Sequence, residues 1–210
     1  DRLGQCYTGA VYDVLRGLGL PDQVLPPEIR PLDPTRLVAG RIFTVSGRPD
    51  ATLDAHRTLL EWTGLLSRTP RGCVLVCQPN DSTLAHMGEL SAETLTHKGV
   101  RGYVVDGGCR DSTFIVKTGF PVWCRYYTPR DVVGRWLPEA FGEPIVIGGV
   151  RVRTGDYLLA DRDGVVVIPG ERIEEVVTRV EEVQRTENKV RTAILAGVDP
   201  QEAYLRHRKF

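Results

Sequence analysis

The stretch between Gly72 and Gly108 constrains the fold more than any other part of the chain. Gly72-Cys-Val-Leu-Val-Cys77 is an apolar run of strand length, Glu89 to His97 has helical character ended by Gly99, and Tyr103 to Val105 is a second buried strand that stops at Asp106-Gly-Gly108. A strand, helix, strand succession needs a crossover and is the building unit of a sheet with helices packed on its face.

The flanking sequence extends this pattern. Thr8 to Gly19 carries Ala10, Val11, Val14, Leu15 and Leu18 at helical spacing, whereas residues 20–38 hold five prolines and read as an extended connection. A strand is expected around Arg41 to Val45 and a helix from Leu53 to Trp62. Pro121–Tyr127, Pro144–Val152, Tyr157–Ala160 and Gly164–Ile168 are predicted strands, with Asp163-Gly164 as a hairpin signal. A long helix from Glu171 to about Leu195 and a second short one close the chain. The expectation is an α/β fold with a mixed parallel and antiparallel sheet, one domain over residues 1–210.

Composition narrows the function. Lys and Arg number 27, as do Asp and Glu, so the chain has no basic surplus for nucleic acid or an anionic membrane. No apolar run approaches the roughly 18 residues of a membrane span and no signal-peptide pattern is present, which predicts a cytoplasmic protein. Five cysteines do not form a disulfide framework. Cys73 and Cys77, about 13 Å apart along one strand face, read as core thiols and not as zinc ligands.

Three places can carry chemistry. Glu187 falls on the apolar stripe of the long helix made by Ile173, Val176, Val177, Val180, Val183, Val190 and Ile194. Either a cation, a metal or a partner subunit meets it there, or the stripe has reached the protein edge and Glu187 is solvated or paired with Arg191. The polar segment Asn80 to Leu90 enters a helix through Gly88, where free backbone amides attract a carboxylate. Asp106-Gly-Gly-Cys-Arg110-Asp111 follows a buried strand and sets an arginine beside an aspartate, as a ligand-binding strand end or as a surface turn with a local ion pair. Asp106 reads as a turn former, and His86 as a structural histidine.

Together these positions supply carboxylates, one arginine and an anion-binding backbone. Hard oxygen donors suit magnesium or manganese, and Arg110 offers a fork for a carboxylate or an enolate oxygen. The chemistry suggested is metal-assisted C–C cleavage next to a 2-oxo acid. Schiff-base chemistry is poorly served, since of four lysines only Lys117 has a context in which it could be buried. No Gly-x-Ser-x-Gly or Gly-x-Gly-x-x-Gly pattern is present.

Gly88-Glu89 followed by Arg110-Asp111 within Val105-Asp-Gly-Gly-Cys-Arg-Asp111 resembles the signature of the family that contains the regulator of ribonuclease activity A and the class II 4-hydroxy-4-methyl-2-oxoglutarate aldolases. Pro26–Pro31, Ala39-Gly40, Gly119–Val122, Gly148–Val150 and Gly155–Pro169 look like further landmarks in the same order. The resemblance implies a swivelling β/β/α fold, a homotrimer or hexamer, and sites at subunit boundaries that the helices from about residue 171 help to complete. It implies that Asp111 binds Mg2+, Mn2+ or another divalent metal directly, while Glu89 and a neighbouring subunit's Glu187 reach it through water. Arg110 would hold the pyruvyl part of the substrate, and backbone amides of Gly88, Glu89 and Leu90 its carboxylate. The implied reaction is retro-aldol cleavage of a 4-hydroxy-2-oxo acid, such as 4-hydroxy-4-methyl-2-oxoglutarate or 4-carboxy-4-hydroxy-2-oxoadipate, to pyruvate, with oxaloacetate decarboxylation beside it. Members without the Arg-Asp pair act as protein-binding regulators of ribonuclease activity, which is the alternative. The family motif usually has aspartate where Glu89 stands, a difference of one methylene that moves the carboxylate by about 1.5 Å. Tyr126–Asp131 and Arg135-Trp136 are candidates for the distal half of the pocket, with plain packing as the alternative.

Overall fold

The computed structural model describes residues 2–209. In chain order its helices are α1 (Thr8–Gly17), α2 (Ala55–Arg68), α3 (Glu89–His97), α4 (Ser112–Thr118), α5 (Ile173–Leu195) and α6 (Pro200–His207). Its strands are β1 (Arg30–Pro31), β2 (Val38–Pro49), β3 (Cys73–Gln78), β4 (Gly102–Val105), β5 (Gly108–Cys109), β6 (Val122–Cys124), β7 (Tyr126–Tyr127), β8 (Trp136–Phe141), β9 (Ile145–Ile147), β10 (Val150–Val152), β11 (Tyr157–Ala160) and β12 (Val165–Ile168).

The main sheet runs β1-β6-β4-β3-β2-β11-β12, with β8 also paired to β2. Strands β2, β3, β4 and β6 are parallel, and β1, β8, β11 and β12 join antiparallel. Because β2 is twelve residues long, one edge serves two partners: β11 at Val38 to Arg41 and β8 at Val45 to Pro49. This is the mixed α/β arrangement expected from the sequence.

The period of two along each strand sorts side chains between layers. Cys73, Leu75 and Cys77 of β3, with Tyr103 and Val105 of β4, face a core built with Trp62, Leu65, Ala92, Leu95 and Ile115 from α2, α3 and α4. Val74, Val76 and Val104 face the opposite way, against Leu25, Ile29 and the β9-β10 hairpin. A third cluster joins α1 and α5 to Ala39, Leu159, Val166 and Ile168. All five cysteines are buried free thiols, so the reading of Cys73 and Cys77 as core residues holds.

Several boundaries differ from expectation. The predicted strand over 121–127 is two strands, because β6 stays in the main sheet while β7 leaves it to pair with β5. The segment 144–152 is a hairpin turning at Gly148-Gly149. The β11-β12 hairpin forms where Asp163-Gly164 signalled it, with a loop over 161–164 closed by Asp161 N–H donating to the Gly164 carbonyl at 3.1 Å. Helix α4 and strand β8 were not expected, since α4 is too short for a periodic signal and β8 alternates around a proline. No helix among the described residues is long and apolar enough to cross a membrane.

Candidate active site

The loop ahead of α3 runs alongside β5, and this pairing assembles the site. Ala85 bridges Gly108 in parallel, His86 N–H donates to the Gly108 carbonyl at 2.8 Å, and Arg110 N–H donates to the Met87 carbonyl at 2.9 Å. The approach requires glycine at 108, where a Cβ would stand 2.4 Å from the Tyr126 ring and 2.5 Å from the Leu84 carbonyl. Residues twenty-two apart in sequence, Glu89 and Asp111, are thereby brought into contact.

Asp111 has left-handed backbone angles, φ 55° and ψ 28°, as the residue that opens α4. Its Oδ2 accepts from the Glu89 backbone N–H at 3.1 Å, so one of the amides expected to take a substrate carboxylate is already occupied by Asp111. That amide lies at the start of α3, where backbone donors lack intrahelical acceptors and the helix dipole favours an anion. Both polar contacts of Asp111 use Oδ2, while Oδ1 has none among the described residues. Leu90, in the same first turn, exposes its side chain to solvent.

Arg110 sits between two carboxylates. Nε lies 3.6 Å from Asp111 Oδ2, and Nη1 lies 3.4 Å from Asp131 Oδ2. Asp131 Oδ1 in turn accepts from the Val133 backbone N–H at 3.2 Å. These residues line a cleft of about 250 Å3 with Gly88, Glu89, Leu90, Leu59, Trp62, Met87, Ser91, Val132 and Val133. Of the candidates over 126–136 only Asp131 reaches this cleft. Trp136 is fully buried in the core, and Tyr126 lines a different cleft with Asn80, Asp81, Ser82, Asp106 and Arg125.

An aromatic floor supports the loop from below. Trp62 Nε1 donates to Ser91 Oγ at 2.9 Å, tying α2 to α3, and Trp136 meets both Trp62 and His86 edge-on. His86 is fully buried, neither ring nitrogen has a hydrogen-bond partner among the described residues, and burial lowers its pKa to about 4 against the pull of Asp81, whose Oδ2 is 3.5 Å from Nε2. Burial raises the Asp81 carboxyl, but hydrogen bonds from Thr83 and Leu84 outweigh it and hold the group below the usual range.

The remaining candidates lie elsewhere. Asp106 pairs with Arg125, which also reaches Glu28 at 3.2 Å, and it lies outside the Arg110 cleft. Lys117 is exposed beside the Phe114 ring and offers no buried amine. Glu187 is outside the Arg110 cleft within the chain. It accepts from Tyr7 Oη and lies 3.5 Å from Lys209 Nζ, in a separate cleft with Val190, Arg191, Ile194 and Leu195. Arg191 bonds Asn188 rather than Glu187. Burial and the Glu187 bond together push the Tyr7 hydroxyl up to about 12. Sequence reasoning did not single out Trp62, Ser91 or Met87, because nothing local distinguishes them from ordinary core residues.

Fold and cleft together define an α/β protein with a polar cleft, built around one arginine, beside the crossover of its sheet. The chain belongs to the RraA-like family, described as Aldolase/RraA, whose model matches residues 8–167. "Putative 4-hydroxy-4-methyl-2-oxoglutarate aldolase" of Halalkalibacterium halodurans is 29% identical over 94% of this chain and 89% of its own length. An uncharacterized protein from Pseudomonas syringae superposes with TM-score 0.88 at 27% identity, covering 98% of this chain and 92% of its own. Streptomyces coelicolor RraAS2, described as an unusual member of the RNase ES inhibitor RraA family, gives TM-score 0.80 at 28% identity over 91% of this chain and 95% of its own. The chain spans 32% of the longer Protein DlpA of Legionella pneumophila, to which it is 28% identical, and the match to MJ0644 of Methanocaldococcus jannaschii covers 53% of each chain.

Proposed function

We propose that the chain is a divalent-metal-dependent lyase that releases pyruvate from a 4-hydroxy-2-oxo acid, the class that includes 4-hydroxy-4-methyl-2-oxoglutarate, with oxaloacetate decarboxylation as a second activity. The observation that carries this reading is the meeting of Gly88-Glu89 with Arg110-Asp111 in one cleft. Among the described residues no three His, Cys, Asp or Glu side chains converge on one point. Magnesium keeps several waters and binds through one or two carboxylates plus substrate, a demand that the Asp111 carboxylate fits through its Oδ1. Asp111 would hold the cation directly, and Glu89 would reach it through water, as would Glu187 of a neighbouring subunit in a homo-oligomer. When bound, the cation supplies Lewis acidity for the 2-oxo group.

The chain's own residues do the rest. Arg110 binds the pyruvyl unit and stabilises the enolate charge that develops when the C3–C4 bond breaks. Glu89 receives the C4 hydroxyl proton through water as C4 becomes a carbonyl, and C3 is reprotonated to give pyruvate. The Leu90 amide in the first turn of α3 orients the substrate carboxylate, the Glu89 amide being held by Asp111. Asp131 steadies Arg110 from the side away from Asp111.

The test is pyruvate detection over a panel of 2-oxo acids, oxaloacetate included, with magnesium. Turnover that needs the metal and collapses in Arg110→Ala and Asp111→Ala supports the lyase. Absence of pyruvate from every acid, with inhibition of a ribonuclease by the purified chain, supports the regulator instead.

A further inference from the structure

The contact between Trp62 and Ser91 leaves one donor unused in the wall of the cleft. An indole N–H only donates, so Ser91 Oγ accepts from Trp62 Nε1 at 2.9 Å and its own proton is left to be given elsewhere. The two threonines further along α3 return theirs to the helix, Thr94 to the Leu90 carbonyl at 2.7 Å and Thr96 to the Ala92 carbonyl at 2.8 Å. The Ser91 hydroxyl donates to no acceptor among the described residues. Ser91 is 9% exposed, and both it and Trp62 line the cleft of Arg110. Its place in α3 is one past Leu90, and the helix closes its first turn with Ala92 N–H donating to the Gly88 carbonyl at 3.0 Å. The Leu90 and Ser91 amides therefore have no acceptor within the helix. Helical side chains lean toward the N-terminus, which sets the Ser91 hydroxyl over the turn that presents them.

We propose that Ser91 is a substrate-binding residue whose hydroxyl donates to the carboxylate met by the first turn of α3, and that Trp62 is a positioning residue that aims this hydroxyl. The proposal rests on the lyase reading above, in which a 2-oxo acid presents its carboxylate there. An ionised carboxylate only accepts and has room for about four hydrogen bonds, so the hydroxyl adds to the Leu90 amide without competing with it. Trp62 Nε1 occupies one lone pair of Oγ and turns the proton away from α2. The carboxylate keeps its charge while the C3–C4 bond breaks, so the contact is equally strong before and during the reaction. Its loss raises KM and spares kcat. A serine that only held α3 in place would lower kcat instead, through the contact of the Glu89 amide with Asp111.

The test titrates pyruvate with magnesium calorimetrically into the full chain, beside steady-state kinetics on oxaloacetate and a 4-hydroxy-2-oxo acid. Ser91→Ala should bind pyruvate about tenfold more weakly, about 1.4 kcal/mol, with KM raised by the same factor and kcat within about twofold of wild type. Ser91→Cys, similar in shape but a weak donor, should show the same loss with a melting temperature nearer to wild type. Trp62→Phe, which keeps a ring and removes the N–H, should weaken binding about threefold. The double variant Ser91→Ala with Trp62→Phe should match Ser91→Ala, because no hydroxyl is left to aim. Unchanged pyruvate affinity in both Ser91 variants overturns the proposal, as does a loss confined to kcat. Losses that add in the double variant overturn the part given to Trp62. If pyruvate affinity falls as expected and no acid is turned over, the lyase reading fails while the Ser91 contact stands. If the wild type does not bind pyruvate, both fail.

Discussion

Gly88 and Asp111 approach so closely that a Cβ on Gly88 would stand 2.8 Å from Asp111 Oδ2, the oxygen that also accepts the Glu89 amide at 3.1 Å. Gly88 has φ −145°, which any residue adopts, so glycine is needed here for space and not for backbone freedom. Gly88→Ala should therefore keep its fold, with stability changed by less than about 1 kcal/mol, because only the end of a side chain has to move. The displaced carboxylate should cost about 100-fold in kcat/KM. Thermal melting beside steady-state kinetics separates the two effects, and an alanine variant of full activity would count against a working role for this contact.

Arg110 contacts Asp111 through Nε and Asp131 through Nη1, a division of labour that needs a planar fork. A lysine ammonium cannot span both. Arg110→Lys should keep the charge yet lose at least about 100-fold in turnover, the scale of losing one transition-state donor. Activity within a few-fold of wild type would mean that charge alone suffices at this position.

His86 makes stability pH-dependent. Its folded pKa of about 4 lies below the ordinary histidine value of 6.5, so the unfolded chain binds the extra proton first as pH falls. Stability is whole above pH 6.5 and is lost progressively between 6.5 and 4, by up to about 3 kcal/mol at about 1.4 kcal/mol per pKa unit. Urea midpoints at pH 7.5 and 4.5 should show this loss, and His86→Asn should show a smaller one. Equal pH dependence in the two proteins would remove His86 as the cause.

The sheet was legible because β3 and β4 are continuous apolar runs separated by a helix, and Glu89–His97 was readable to the residue from its glycine boundaries. The Gly88 to Asp111 neighbourhood was legible as separate motifs at a loop-to-helix entry and a strand end. Two things were not. Asp131 fell within the segment Tyr126–Asp131 named for the pocket, but which of those residues enters the cleft depends on the loop between β7 and β8, and no periodicity encodes that. Glu187 carried a correct signal, a carboxylate on an apolar stripe, but Tyr7 and Lys209, its partners within the chain, come from the two ends of the sequence. Arg191, four residues along, was the neighbour that sequence proximity suggested.

Glu187 lies in a cleft apart from Arg110 and Asp111, so a role in the same reaction requires a second copy of the chain. Asp111→Ala and Glu187→Ala proteins should each be nearly inactive. Mixing and reassembling the two should restore a substantial part of the activity, because some boundaries then pair an intact Asp111 with an intact Glu187. No recovery on mixing, with subunit exchange verified by mass spectrometry, would place Glu187 outside the reaction.

In the proposed reaction Asp111 anchors the divalent cation on which C–C cleavage depends. The most direct measurement is the initial rate of pyruvate release from 4-hydroxy-2-oxo acids with magnesium, above the background of metal alone, for wild type and Asp111→Ala. Chelator should abolish the wild-type rate and magnesium restore it, and the variant should fall by about 1000-fold or more. A rate indifferent to chelator, or an Asp111→Ala protein as fast as wild type, would contradict it.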